Sequence, residues 1–222
     1  MSKQQESNIA VSFFNIHNII TRSLRVSLEN AQVILQGGFQ DGRTREGFFN
    51  YIRALTSVMN AHHLMEDDVA FPYFRDKLPE ADFDDLTFWH HKMDEILDEI
   101  NLAAEKFEKN DLLETEMRNI ENARSRLNEG WPLHIQPETD DFINRADALV
   151  TVEEQLRLVR LFAEHSQKLA VPHYLTVPFM LYNLPVEDRK AFSQWMPAEI
   201  IQNLVPVVWK EKWVSMTAYL LA

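Results

Sequence analysis

His62 with Glu66, and His134 with Glu138, form two His-x-x-x-Glu pairs, each an imidazole followed four residues later by a carboxylate. In an α-helix, positions i and i+4 share a face, so each pair aims a nitrogen and an oxygen ligand at one point. Both pairs lie on apolar stripes. Phe48, Ile52, Leu55, Met59, His62, Glu66, Val69 and Tyr73 recur in steps of four and three; Leu113, Met117, Ile120, Leu127, Trp131, His134, Glu138 and Phe142 repeat the pattern with one missed step. Stripes of this kind are the buried seams of packed helices. Ionisable groups on such a seam are costly without partners, and a cation held by both members of a pair removes that cost. The chemistry implied is metal binding inside a helical protein.

Two further seams carry a histidine each. One reads Phe13, His17, Ile20, Leu24, Leu28, Ala31 and Leu35; the other reads Leu86, His90, Met93, Leu97, Ile100, Ala104 and Phe107. A single seam histidine is ordinarily a hydrogen-bonded core residue, but four of them with two carboxylates point to ligation by His17, His62, Glu66, His90, His134 and Glu138. This set suits two first-row transition ions, with Glu66 and Glu138 long enough to bridge from opposite helices. Calcium and magnesium prefer mostly oxygen. A single zinc is the alternative, and it would leave two of the six groups idle.

One residue along a helix turns a side chain by about 100°. His63 therefore joins Thr56, Asn60 and Asp67 on a polar face, and His91 joins Thr87, Asp94 and Asp98, so both are expected to support the site or meet solvent. Asp67, Asp94 and Asp141 are candidates to accept the free ring N–H groups of ligating histidines. His165 aligns with Leu158, Leu161, Phe162 and Leu169, as an added ligand or as the partner of a carbonyl or carboxylate; His173, between Pro172 and Tyr174, is expected in a loop.

The elements that position these residues are all helical. Only five glycines occur in 222 residues, and strict alternation is nearly absent. A first helix is expected from about Ser7 to Gln36, stopping at Gly37-Gly38. A second begins near Thr44 and ends at Leu78-Pro79, Asp82 caps a third, and Asn110-Asp111 turns into a fourth. Pro132 and Pro137 predict a kink or break near Gly130-Trp131-Pro132. Thr151 and Glu154 form a capping box for a fifth helix that ends before Pro172. Short pieces follow, punctuated by Pro178, Pro185, Pro197 and Pro206, and then a stripe of Trp209, Trp213, Met216 and Leu220, serving either the core or a contact with a second copy. The expected organisation is a bundle over residues 1–150 with a helical segment, 151–222, packed on it.

Composition excludes several classes. With no cysteine there are no disulfides, thiolate metal sites or thiol nucleophiles. A net charge of −12 without a basic cluster disfavours nucleic acid and anionic membranes. The first residues lack a signal-peptide core and no run reaches the length of a membrane span, so a soluble, cytoplasmic protein is expected. No Ser-His-Asp arrangement, phosphate loop or dinucleotide fingerprint occurs.

His62-His63-Leu64-Met65-Glu66-Asp67 followed by Phe71-Pro72 resembles the His-His-x-x-Glu-(Glu/Asp)…Phe-Pro signature of hemerythrin-like HHE cation-binding domains. The order His17, His62/Glu66, His90, His134/Glu138 is similar to that family's ligand order, and the resemblance covers about residues 8–148. It implies an up-and-down four-helix bundle around a non-haem di-iron centre, two iron ions with an oxo or hydroxo bridge. It also implies binding of dioxygen, nitric oxide or peroxide for storage, sensing or scavenging. Two departures stand out. Where the oxygen-carrying members place two histidines one turn apart on the third helix, His90 is followed by Asp94, which leaves one imidazole fewer. The Phe-Pro of the second helix is Phe142-Ile143 in the fourth. The lower imidazole count motivates a second reading, a peroxidase-, catalase- or nitric-oxide-reducing oxidoreductase. A third makes the chain a metal-switched interaction module with 151–222 as its output surface. Phe13, Phe14, Trp89, Trp131 and Phe142 fall within a turn of the ligands and predict a small apolar pocket suited to a diatomic molecule.

Overall fold

The computed structural model describes residues 8–110, 113–194 and 196–221, and among them there is no strand. Helix α1, Ile9–Gly37, starts on Asn8, whose side-chain oxygen accepts from the Val11 N–H at 2.8 Å. It stops at Gly38, where φ is 74°, the left-handed conformation that glycine adopts without a Cβ clash. Helix α2, Gly42–Met65, is capped by Asp41, which accepts from the Thr44 N–H at 2.7 Å. The helical path continues through a π turn, Glu66–Ala70, and one α turn, Phe71–Phe74. Helix α3, Phe83–Asn110, begins where Asp82 accepts from the Asp85 N–H at 3.0 Å. Helix α4, Leu113–Pro137, also passes into a π turn, Glu138–Ile143. The Ser7 start and the Asn110-Asp111 turn expected from the sequence lie outside the described residues.

The break expected near Gly130-Trp131-Pro132 does not occur, and α4 runs through all three. Proline removes one hydrogen bond and crowds the carbonyl four residues earlier. Here Pro132 and Asn128 are both exposed, so the freed carbonyl meets water and the helix continues. The irregularity comes one turn later, after Pro137.

α3 packs on α4, α4 on α1, α1 on α2 and α2 on α3, closing a ring of four long helices. Two apolar clusters fill its interior. The larger includes Leu24, Leu55, Ile100, Leu127 and Trp131. The smaller is aromatic: Phe142 meets the rings of Phe13, Phe71, Phe74 and Phe83 at centroid separations of 5.4, 5.7, 5.2 and 5.6 Å. Each buried phenylalanine stabilises the fold by about 1.5–3 kcal/mol.

Residues beyond Val150 pack on the α1 and α2 side. Helix α5, Val152–Leu169, carries the expected capping box: Glu154 N–H donates to the Thr151 hydroxyl at 3.2 Å, and Thr151 N–H to the Glu154 carboxylate at 2.9 Å. Helix α6, His173–Asn183, starts at His173, which is therefore helical rather than in a loop. Helix α7, Val186–Ser193, is followed by a π segment Ile200–Val208, a turn Lys210–Trp213 and a 3-10 stretch Val214–Tyr219. Trp213 and Met216 are buried, with the Trp213 indole N–H donating to the Val205 carbonyl at 2.8 Å, so the expected tryptophan stripe serves the core.

α2 contacts α1, α3, α5, α6 and the Val214–Tyr219 stretch, and is enclosed on most of its circumference. Gly47 is where this enclosure is tightest: a Cβ there would lie 2.0 Å from the Ser215 carbonyl oxygen. Alanine ordinarily gains about 1 kcal/mol over glycine inside a helix, but overpacking against backbone costs about 1–3 kcal/mol. Gly47→Ala is therefore expected to lower the denaturation midpoint, and a raised midpoint would show that the 214–219 stretch yields freely.

Arg124, on α4, is fully buried, and none of its guanidinium nitrogens has a hydrogen-bond partner among the described residues. Burial lowers its pKa to about 9, with Tyr51 acting in the opposite sense. Exchanging a buried charge for a well-packed hydrophobe is commonly neutral or stabilising by about 1–4 kcal/mol. Arg124→Met is expected to unfold at equal or higher urea, whereas a substantial loss would mean that the guanidinium is well bonded in solution.

Candidate metal centre

The six sequence-predicted residues converge between the two apolar clusters, and all are buried. His17 comes from α1, His62 from α2, His90 from α3 and His134 from α4, while Glu66 and Glu138 each open a π turn. A π turn holds one more residue than an α turn and re-aims the side chains around it, which is why such turns recur at functional sites. Pro137 immediately precedes the second one and removes an α-type donor there; the first has no such signal.

The two carboxylates tie the imidazoles together. Glu66 places Oε1 3.4 Å from His62 Nε2 and Oε2 3.3 Å from His90 Nε2. Glu138 Oε2 lies 3.4 Å from His17 Nε2 and 3.6 Å from His134 Nε2. His17 and His62 face each other, Nε2 to Nε2, at 3.0 Å. The ligand atoms form two groups, His17, His62, Glu66 and Glu138 in one and His63, His90 and His134 in the other, with atoms of each group within 4.8 Å of one another.

His63 departs from expectation. It is not on a polar face but fully buried, its ring stacked on His90 at 4.3 Å and 8°. The 100° rotation from His62 does carry it off the seam, yet enclosure of α2 on most sides turns that second face inward too. Its Nδ1–H donates to Asp94 at 3.0 Å, which leaves Nε2 buried and without a partner. Asp94, sitting where the oxygen-carrying members of the resembled family have a second histidine, was the available signal: it removes one imidazole from α3 and orients another from α2.

The other supporting residues divide. Asp67 accepts from His90 Nδ1 at 2.9 Å and from the Thr87 hydroxyl at 2.7 Å, as expected for an acceptor that fixes a tautomer. Asp141 does not play that part and lies 3.8 Å from Arg145. His91 is exposed. His165 pairs with Asp68 at 3.2 Å and belongs to neither group. Phe14 is 37% exposed and Trp89 half-buried, so the wall nearest the imidazoles comes from other rings. The Phe13 ring stands edge-on to His17 and His62 with centroids 6.1 Å from each, the Trp131 centroid lies 5.6 Å from that of His17, and Phe71 stacks on His90 at 5.5 Å. The Trp131 indole is held by donation to the Thr21 hydroxyl at 2.8 Å.

The electrostatics favour neutral imidazoles, the form that ligates. Burial puts His62 and His63 well below the usual histidine range, brings His134 to about 3, and lowers His17 against the pull of Glu138. Burial and then the nearby Glu138 push Glu66 well above the usual carboxylate range. Glu138 is desolvated as well, but His17, the adjoining Glu66 carboxyl and His134 bring it below. Asp94 is raised to about 6 by burial, opposed by His90.

Native interiors leave few buried polar atoms unpaired. Here Nε2 of His63, His90 and His134 and all four oxygens of Glu66 and Glu138 are buried without a hydrogen-bond partner among the described residues. The residues fit a bound cation group: five imidazoles and two carboxylates converge, with Nε2 of three imidazoles and every carboxylate oxygen unassigned, and no thiolate competes.

The chain matches the model of the hemerythrin HHE cation binding domain over residues 15–146. It belongs to that family, whose members bind metal cations, and the matched stretch contains every residue of both ligand groups. Searches of curated proteins and of solved structures gave no match. No helix among the described residues is long and apolar enough to cross a membrane.

Proposed function

We propose that the chain is a non-haem di-iron protein that binds dioxygen or a related small oxidant, nitric oxide or peroxide, for storage, sensing or scavenging. In this reading the ring of long helices is an up-and-down bundle over residues 1–150, with 151–222 packed on it, and the protein works in the cytoplasm. His17 and His62 would help to hold one iron and His63, His90 and His134 the other, with Glu66 and Glu138 available to both. The observation that carries the reading is the set of unpartnered nitrogen and oxygen atoms shared between two adjoining groups.

Two bound irons supply accessible electrons and open coordination positions. The chain's own residues set the surroundings. Asp67 and Asp94 fix the tautomers of His90 and His63, so that Nε2 is the ligating atom in each. Phe13, Phe71 and Trp131 exclude bulk water from the imidazoles. His63 also brings the imidazole count to five and so removes the motive for the oxidoreductase reading, which rested on a missing imidazole.

Expression with iron and aerobic purification should give about two irons per chain and near-ultraviolet absorption from oxygen-to-iron charge transfer. A folded chain that refuses iron would overturn the proposal.

A further inference from the structure

Next to the centre, between α1, α2 and the residues that follow Val150, lies a cavity of about 250 Å³. Its inner wall is Phe13, Val58, Ala61, His62 and Met65, all buried. Its outer wall comes from α5, α6 and the α7 region, including Phe162, Ala163, Val177 and Met180. That outer wall lies beyond residue 146, where the family match ends, so this cavity is a feature of the chain as a whole.

Its chemistry is selective. None of the described lining residues is Asp, Glu, Lys or Arg. Several polar side chains around it are already engaged: Thr176 donates to the Ala170 carbonyl at 2.8 Å, Ser12 to the Asn8 carbonyl at 3.1 Å, and His173 bonds the Gln167 carbonyl at 2.7 Å. Exposed Gln167 and Gln194 lie at the rim, where their amides can meet a hydroxyl or carbonyl. Small-molecule sites typically span roughly 300–1,000 Å³, mostly apolar with a few polar groups, and this one falls just under that range.

We propose that this cavity binds a small uncharged molecule with an apolar body and one hydroxyl or carbonyl end, body against Phe13 and His62, polar end at the amide rim. A carboxylate of the same length finds no counter-charge there. Binding needs no metal, so the proposal stands apart from the di-iron reading even though His62 belongs to both.

The test is calorimetric titration of the full chain, iron-loaded and iron-free, with 1-octanol as probe and octanoate as control. Saturable octanol binding at one per chain is expected, with octanoate weaker by at least about tenfold because its charge would be buried unpaired. Ala163→Trp should abolish octanol binding while far-ultraviolet dichroism stays the same; should that variant fail to fold, Ala163→Lys should reverse the preference toward octanoate. Absence of saturable octanol binding, equal affinity for octanoate, or binding indifferent to both substitutions overturns the proposal. Octanol bound by a chain that refuses iron supports the cavity and overturns only the metal reading.

Discussion

The His63→Ala chain is expected to hold one of its two irons much more weakly than the parent chain does, losing it first to a competing chelator, because the three-imidazole position loses a ligand that no neighbour replaces. His63 Nε2 is buried without a hydrogen-bond partner, and its Nδ1 is committed to Asp94. With the ring gone, that position keeps His90, His134 and the carboxylates, while the His17/His62 position is intact. Asp94→Asn should act more mildly: losing the carboxylate that orients a ligating histidine typically weakens metal binding about 10–100-fold. His165→Ala and His91→Ala are the controls, since one pairs with Asp68 and the other is exposed, and both should keep the parent's iron content. Iron analysis with competing chelator decides. Two irons held by His63→Ala with unchanged affinity would make His63 a packing residue.

The iron-free chain should lose stability steeply as pH falls from about 6.5 towards 5, the second large effect. His17, His62, His63 and His134 all have folded pKa values below the ordinary 6.5. Below 6.5 the unfolded chain takes up protons that these buried rings refuse, so stability present above that pH is lost as pH falls. Glu66 and, below about pH 6, Asp94 work in the opposite direction, because their raised pKa values let the folded state hold protons that the unfolded state does not. A net difference of about two protons corresponds to roughly 3 kcal/mol per pH unit, against a typical total stability of about 5–15 kcal/mol. Bound iron keeps the rings deprotonated, so the loaded chain should hold its far-ultraviolet dichroism to a pH lower by at least about one unit. Equal acid profiles with and without iron, or a flat iron-free profile between pH 7 and 5, would contradict the arrangement of neutral buried rings.

Helical periodicity made much of this molecule legible. The four seams set His17, His62, His90 and His134 on the inner faces of four helices, and the i, i+4 carboxylates followed from the same geometry. Caps at Asp82 and Thr151 were readable because each offers a side-chain oxygen to an orphan N–H. What periodicity does not carry is the number of neighbours a helix will have. It divides a helix into an inside and an outside, so it placed His63 outside on a helix that has almost no outside. The proline rule erred at Pro132 for a related reason: the penalty depends on whether the freed carbonyl is wet, and a single helix's sequence does not say so. The two π turns left only Pro137 as a trace.

Those π turns have a further consequence. Each inserts one extra residue between a carboxylate and the aromatic side chains that follow it, Phe71 and Phe74 after Glu66, Phe142 after Glu138. The same insertion thus fixes both the heading of the acid and the phase of the rings beneath it. Shortening either turn by a residue would swing the downstream phenylalanines about a quarter of the way around their helix, so in this chain the ligand cage and its hydrophobic floor are geared together and neither can be retuned alone.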